Sequence, residues 1–376
     1  MTRVLFAGGG TGGHLYPALA LGDALRAARP DVRVAFIGAQ RGIEARVLPE
    51  KGVEHRLLPL EPLRRDRVWQ NWRLPVSLAR SLSALRMEFR RDRPDLVVCT
   101  GGYASGPAGF WALASSVPVA LQEQNSYPGL TIRVLGRRAR QIHLGFPEAA
   151  RHLHPGPRTE IHALGNPIRP PDSSIDRPAA RRAFGLSENA HVLLVVGGSQ
   201  GSKAMNDALA GALEMVARGE LEAPRDLEIL WATGPTHLPE VERRLAAAPS
   251  RVRVRARGYI DDMPRALAAT DLALTRAGAM MTAELQAWGI PMLLVPLPTA
   301  AADHQTHNAV ALEAAGAGIH LRQATLTPET LWQAIRSLAG DPERLAAMGA
   351  IARERGRPDA ARAIAAKLIE LLPEAA

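Results

Sequence analysis

Three short apolar runs each end in a glycine-rich loop, and this repeated arrangement constrains the fold more than any other feature of the chain. Val4-Leu5-Phe6-Ala7 leads into Gly8-Gly9-Gly10-Thr11-Gly12-Gly13-His14, and Leu96-Val97-Val98-Cys99 precedes Gly101-Gly102-Tyr103-Ala104-Ser105-Gly106. The third run, Val192–Val196, precedes Gly197-Gly198-Ser199-Gln200-Gly201-Ser202. A β-rich run, a turn without Cβ atoms and then a helix bring backbone close to a ligand and offer unpaired N–H groups to an anion. Two such loops fall early and one opens the second half, which points to two ligand-handling sheets. The spacing of the first loop is not that of the dinucleotide fingerprint, so a dinucleotide oxidoreductase is disfavoured.

The rest of the chain repeats the alternation. Strand candidates Val32–Ile37 and Val117–Leu121 sit among helical segments Pro17–Ala27, Ile43–Glu50, Pro75–Arg90 and Pro107–Ser115, the rhythm of βαβ units around a parallel sheet. Regular structure is denied at Gly165-Asn166-Pro167-Ile168-Arg169-Pro170-Pro171, and the pattern then restarts. With 376 residues, more than one core usually holds, the chain reads as two α/β domains. The expected division is 1–166, a junction at 167–171, 172–357, and a terminal helix over 358–376 that packs back toward the first domain.

Charge narrows the ligand class. Lys and Arg number 46 against 37 acids, a net +9 that suits phosphorylated ligands or an anionic membrane face. The single cysteine, Cys99, excludes an intrachain disulfide and lies in a core strand pattern. No secretory leader is expected from the first residues, and no apolar run approaches the ~20 residues that cross a bilayer. Between Arg64 and Arg93, nine arginines face three acids around Trp69 and Trp72. Leu78, Leu82, Leu85 and Phe89 then follow at helical spacing, as one stripe of a helix from Pro75. The stripe reads as sheet packing, whereas the two tryptophans among arginines read as an interfacial anchor for anionic lipid. Single-stranded nucleic acid would need a longer stacking track.

Several polar residues stand at the ends of these runs. His14 follows the first loop, where an imidazole can take a proton near neutral pH or be structural. Gln122-Glu123-Gln124-Asn125 ends a buried strand, either as a hydrogen-bonding rim in which Asn125 orients a sugar hydroxyl or as turn caps. Glu284 lies in the first turns after Thr275-Arg276-Ala277-Gly278, placed to accept two ribose hydroxyls or simply to favour the helix dipole. Gln305 and Asn308 share a helix face and can meet one ligand. His304 and His307 have the same spacing but lack the acidic partner of a zinc site, so no metal is expected.

Taken in order, the glycine loop to His14, Gly101-Gly102-Tyr103 with Ser105-Gly106-Pro107, Glu123-Gln124-Asn125, Gly165-Asn166-Pro167-Ile168-Arg169, Gly197-Gly198-Ser199-Gln200-Gly201, Glu284, His304-Gln305 and Asn308 resemble glycosyltransferase family 28. The resemblance covers essentially the whole chain. It implies an α/β chain of GT-B architecture, two Rossmann-like domains with parallel sheets facing each other across a cleft. It further implies inverting transfer of N-acetylglucosamine from UDP-GlcNAc to the muramyl 4-hydroxyl of undecaprenyl-linked lipid I, giving lipid II in peptidoglycan synthesis, with no metal or other cofactor.

By the same resemblance, Ser199, Ala279 and Met280 meet the UDP phosphates, Glu284 the ribose, Ile260 the uracil edge, and Gln305 and Asn308 the hexosamine. Thr11, Gly12, Gly13, Asn125 and Arg169 complete the donor site, Gly102, Tyr103 and Ser105 serve the acceptor, and His14 is the base candidate. Ala277 and Gln122 depart from the family pattern, where serine and histidine are usual. The implied location is the cytoplasmic face of the bacterial inner membrane, with anionic lipid and other cell-wall synthesis or division proteins as partners and no nucleic acid. Other GT-B UDP-sugar enzymes, such as a glycolipid glycosyltransferase or a hexosamine 2-epimerase, and a non-catalytic nucleotide-sugar-binding scaffold are the alternatives.

Overall fold

The computed structural model describes residues 1–61, 72 and 74–374. The chain divides into two units, Met1–Arg169 with Arg357–Ala376, and Pro170–Gly356. Each is a Rossmann-like parallel-sheet domain, and the pair is the GT-B architecture.

Among the described residues, the first unit has β1 (Arg3–Gly8), β2 (Arg33–Ala39), β3 (His55–Leu58), β4 (Leu96–Gly101), β5 (Val119–Glu123), β6 (Gln141–Leu144) and β7 (Glu160–His162). They form one parallel sheet in the order β3-β2-β1-β4-β5-β6-β7. Every residue of β1 and β4 is buried, which is why these strands read as continuous apolar runs. Alternate side chains feed opposite faces. Leu5 and Ala7 join a core with Leu85, Phe89, Ala108 and Ile132, under helices α3 (Leu74–Arg91), α4 (Ser105–Ala114) and α5 (Leu130–Leu135). Val4 and Phe6 join the opposite core under α1 (Gly12–Ala28) and α2 (Glu44–Glu50). The last helix, Ala360–Ile369, adds Ile364, Ala365 and Leu368 to that second core and lies against α1. Cys99 is fully buried, its thiol pushed up to about 12 by desolvation.

The α3 stripe differs from the sequence reading by one position. Ser77, Ser81, Leu85 and Phe89 face inward and Leu82 is half-buried, whereas Leu78 is 44% exposed. Two small serines let the helix start close to the sheet: Ser77 Oγ donates to Pro59 O at 2.5 Å and Ser81 Oγ to Ser77 O at 2.8 Å. Hydrophobic spacing could not reveal this, because the inward contact at that end is polar and small. Trp69 lies outside the described residues.

The second unit repeats the plan with β8 (His191–Val196), β9 (Leu227–Ala232), β10 (Arg253–Arg257), β11 (Leu272–Thr275), β12 (Met292–Leu294) and β13 (Gly318–His320). Their order is β10-β9-β8-β11-β12-β13, again parallel throughout. Its helices include α6 (Arg177–Ala183), α7 (Lys203–Ala217), α8 (Leu238–Ala247), α9 (Met263–Ala269), α10 (Ala279–Trp288) and α11 (His304–Ala314), of which α7, α10 and α11 matter below. Short β6, β7 and β13 carry His, Gln or Gly and lack the apolar alternation by which a strand is read from sequence.

In each sheet the strand order reverses between two neighbours, β1 and β4 in one, β8 and β11 in the other. Crossovers on either side of such a pair leave to opposite faces, opening a crevice at the carboxyl ends of the strands. All three glycine loops and the segment before α10 lie at those points.

Candidate active site

In the first unit, the loops after β1 and β4 interlock. Thr100 Oγ1 donates to His14 O at 2.8 Å, and Thr11 Oγ1 shares a hydrogen bond with His14 Nδ1 at 3.1 Å. Gly102 has φ +77°, and a Cβ there would lie 2.0 Å from Gly9 O and 3.2 Å from His14 Nδ1. Only glycine permits this approach, so the two loops define the imidazole's position together. Tyr103 is half-buried with its ring against Gly10, and burial, reinforced by the Glu44 charge, pushes its hydroxyl up. Thr11 and Gly13 are exposed and Gly12 half-buried, so the α1 start is the open part of the first loop.

Other residues of this unit do more structural work than the sequence suggested. Ser105 is fully buried and donates to Gly102 O at 3.0 Å, holding the second loop. Gln122 and Gln124, both buried, form an amide chain with Asn166: Gln122 Nε2 donates to Asn166 Oδ1 at 3.0 Å and Asn166 Nδ2 to Gln124 O at 3.0 Å. Gln124 Nε2 donates to Thr100 O at 2.8 Å, linking this chain to β4. Gln122 therefore stands inside the fold and not on a ligand rim. The Glu123 carboxylate, 3% exposed, accepts from Asn125 N at 2.9 Å, Asn125 Nδ2 at 3.2 Å and Gly129 N at 2.9 Å. Burial raises its pKa, and these bonds oppose that rise. Asn125 is half-buried at the end of that strand, and Arg169 is exposed at the end of the unit.

Glu44 is the residue that sequence reasoning missed. It is fully buried beneath the first loop and accepts from Gly10 N and Ala39 N. Its only sequence signal was a carboxylate at the start of a helix whose neighbours, Gly38 and Gly42, lack side chains.

In the second unit, the loop after β8 turns at Gly198–Gly201 and starts α7. Gly201 has φ +74°, and a Cβ there would fall 1.8 Å from Thr233 O, so this turn also requires glycine. Ser199 is exposed on the turn, while Ser202 caps α7 by accepting from Met205 N at 3.4 Å. Arg276 Nη2 donates to Ser202 Oγ at 2.7 Å and Nη1 to Val295 O and Pro296 O at 3.0 Å. It thus ties together the loops after β8, β11 and β12, a second role that sequence left unassigned.

Gly278 precedes α10, Ala279 is buried and Met280 half-buried in its first turn. Glu284 follows, also half-buried. Desolvation pushes its carboxyl up to about 7, and among the described residues it has no hydrogen-bond or ion-pair partner. A desolvated carboxylate without a partner is costly unless a ligand supplies donors. Asn308 is fully buried, with Nδ2 donating to Ala277 O at 3.0 Å, so it shapes the approach to α10. Gln305 is half-buried and its Oε1 accepts from Leu297 N at 3.0 Å. Ile260, 3% exposed, sits in the loop after β10 with exposed Tyr259 beside it. His304 Nδ1 bonds Ala301 O at 2.7 Å.

The chain matches the glycosyltransferase family 28 N-terminal domain over residues 4–144 and the family 28 C-terminal domain over residues 192–364. It is 42% identical over 369 residues to the UDP-N-acetylglucosamine–N-acetylmuramyl-(pentapeptide) pyrophosphoryl-undecaprenol N-acetylglucosamine transferase of Salinibacter ruber, covering 98% of this chain and 96% of that protein. The enzyme of the same name from Moorella thermoacetica is 40% identical over 366 residues, covering 96% and 97%. Among solved structures, Acinetobacter baumannii MurG superposes with a TM-score of 0.80 at 27% identity, covering 98% of this chain and 100% of that one.

Proposed function

Because the chain belongs to glycosyltransferase family 28, we infer that it transfers N-acetylglucosamine from UDP-GlcNAc to the muramyl 4-hydroxyl of undecaprenyl-linked lipid I, forming lipid II. It is a UDP-GlcNAc-dependent, inverting glycosyltransferase of peptidoglycan synthesis. The geometric observation that supports this reading is Glu284, half-buried in the first turns of a helix at the sheet's switch point and, among the described residues, without a hydrogen-bond or ion-pair partner. Two vicinal hydroxyls of a ribose supply the donors such a carboxylate lacks.

The further roles are those that the family resemblance implies. The turn at Ser199 and the starts of α7 and α10, at Ala279 and Met280, direct backbone N–H groups toward a leaving diphosphate. Backbone at Ile260 meets the uracil, and Gln305 keeps its amide N–H₂ for the sugar, with Asn308 fixing the backbone beside it. His14, held by Thr11 and the Gly102 loop, takes the proton of the attacking hydroxyl; Tyr103, Gly12, Gly13, Asn125 and Arg169 are the remaining substrate contacts. A single displacement at the anomeric carbon inverts the α-donor to a β(1→4) product. The proton goes to the imidazole and the bond electrons to UDP.

An acceptor with a lipid tail calls for a membrane surface, and the proposed location is the cytoplasmic face of the inner membrane. Among the described residues, no helix is long and apolar enough to cross a bilayer. The helices over one sheet face instead expose Val76, Leu78, Phe110, Leu130 and Val134, with Trp72 just before α3 also exposed. Arg80 and Arg86 lie on the same helix as Val76, a composition suited to the surface of an anionic bilayer. The decisive experiment incubates purified protein with labelled UDP-GlcNAc and a lipid I analogue. A β(1→4) disaccharide product is expected; donor binding without product would reduce the protein to a nucleotide-sugar binder.

A further inference from the structure

The first glycine loop closes over a buried carboxylate that the reaction above does not use. Both oxygens of Glu44 lie 3.0 Å from Gly10 N, and Oε1 also accepts from Ala39 N at 2.8 Å. The side chain thereby joins the end of β2 to the loop after β1. Three glycines leave the volume it fills. A Cβ on Gly9 would lie 2.2 Å from Glu44 Oε1, one on Gly38 2.3 Å from its Cγ, and one on Gly42 2.2 Å from its Oε2. On the other side of the same loop stand Gly102, against Gly9 O, and the His14 ring. The loop is thus held between a carboxylate within and the imidazole layer without.

We propose that Glu44 is the positioning residue of the first loop: a built-in acceptor that occupies the Gly10 N–H from within, fixes His14 through the loop, and leaves only the outer backbone at Thr11, Gly12 and Gly13 open to substrate. The proposal rests on the reading of His14 and lipid I given above. A phosphate seated at Gly10 N would have to displace a carboxylate that is already hydrogen-bonded and out of water. The loop therefore differs from an empty phosphate cradle, in which every inward N–H awaits the ligand.

The test compares Glu44→Ala with Glu44→Gln. Glutamine keeps Oε1, the oxygen that serves both Gly10 and Ala39, whereas alanine leaves both donors buried without acceptors. Measured quantities are kcat, the KM of each substrate, the melting temperature, and amide hydrogen exchange at Gly10 and Ala39. Displacing a catalytic group by a fraction of an ångström to an ångström costs up to about 100-fold, so Glu44→Ala should lose roughly 10–100-fold in kcat with the UDP-GlcNAc KM changed by less than about twofold. Exchange at Gly10 and Ala39 should accelerate, and Glu44→Gln should recover part of the lost kcat and protection, because its Oε1 still serves both donors while its N–H₂ takes the place of Oε2 beside Gly10 N. If Glu44→Ala does not fold, Glu44→Asp, a methylene too short to reach Gly10, replaces it. A folded variant with a lowered melting temperature but unchanged kcat overturns the proposal, as does unchanged exchange at Gly10. If the wild-type protein makes no disaccharide, the functional reading is what fails, and the exchange measurements still decide whether Glu44 holds the loop.

Discussion

Replacing Glu284 by glutamine tests the donor site through two measurements of opposite sign. In the free protein burial pushes the carboxyl up to about 7, and among the described residues no group compensates. Only the ionised form can accept both ribose hydroxyls, so UDP-GlcNAc must select it. With a free-state value of about 7, the apparent Kd at pH 6 should be roughly tenfold above its limit at pH 8, and about twofold above it at pH 7. The pyrophosphate of UDP-GlcNAc is a diester and does not itself titrate in this range, so calorimetric titration of the donor across it reads the protein. Glu284→Gln should flatten that profile and weaken binding at pH 8 by roughly 10–150-fold, the worth of a charge-assisted hydrogen bond of about 1.5–3 kcal/mol. Stability should move the other way. A carboxyl raised in the folded state above its unfolded value of about 4.3 destabilises the fold as pH rises between the two, fully above the folded value. Glu284→Gln should therefore melt higher than wild type at pH 8, with the difference closing toward pH 4. A wild-type Kd independent of pH, or a glutamine variant that binds as tightly as wild type, would refute the assignment of this carboxylate to the ribose.

His14→Ala should lower kcat by about 10²–10⁴-fold while leaving donor Kd nearly unchanged; near-normal turnover at saturating donor would return the imidazole to a structural role. Replacing Trp69 and Trp72 together should reduce sedimentation with anionic vesicles and spare turnover of a short, water-soluble acceptor. Undiminished vesicle binding would shift the anchor to the exposed apolar residues of α3 to α5, and a loss of short-acceptor turnover would mean that the segment supports the fold.

The elements that read correctly from sequence are those whose local chemistry is sufficient. Parallel strands buried on both faces, such as Val4–Ala7 and Val192–Val196, must be continuously apolar, and a strand turning at once into a helix needs glycine. Hence the two-sheet plan and the three loops were legible, as was the position of His14 and Glu284 at the starts of helices that follow such turns. The edge strands His55–Leu58 and Glu160–His162 were not, since neighbours in space and not their own composition hold them in the sheet. The inward face of α3 was misjudged at Leu78 because serines occupy the close contact.

Within the candidate sites, sequence determined which polar side chains stand near the glycine loops, but the tertiary structure decided what each is already bonded to. Gln122, Ser105 and Asn308 looked equivalent to Glu284 as polar residues at element ends. Folding gives the first three backbone or amide partners and, among the described residues, leaves Glu284 with none. Glu44 is the converse case: 34 positions from Gly10 in the chain, it meets that residue's N–H only when β2 is laid beside β1. Glycines and apolar runs act through their own backbone and burial, so a sequence can specify them locally. A hydrogen bond depends on two groups that the chain brings together from a distance, and only the packed fold fixes which donors and acceptors remain for a substrate.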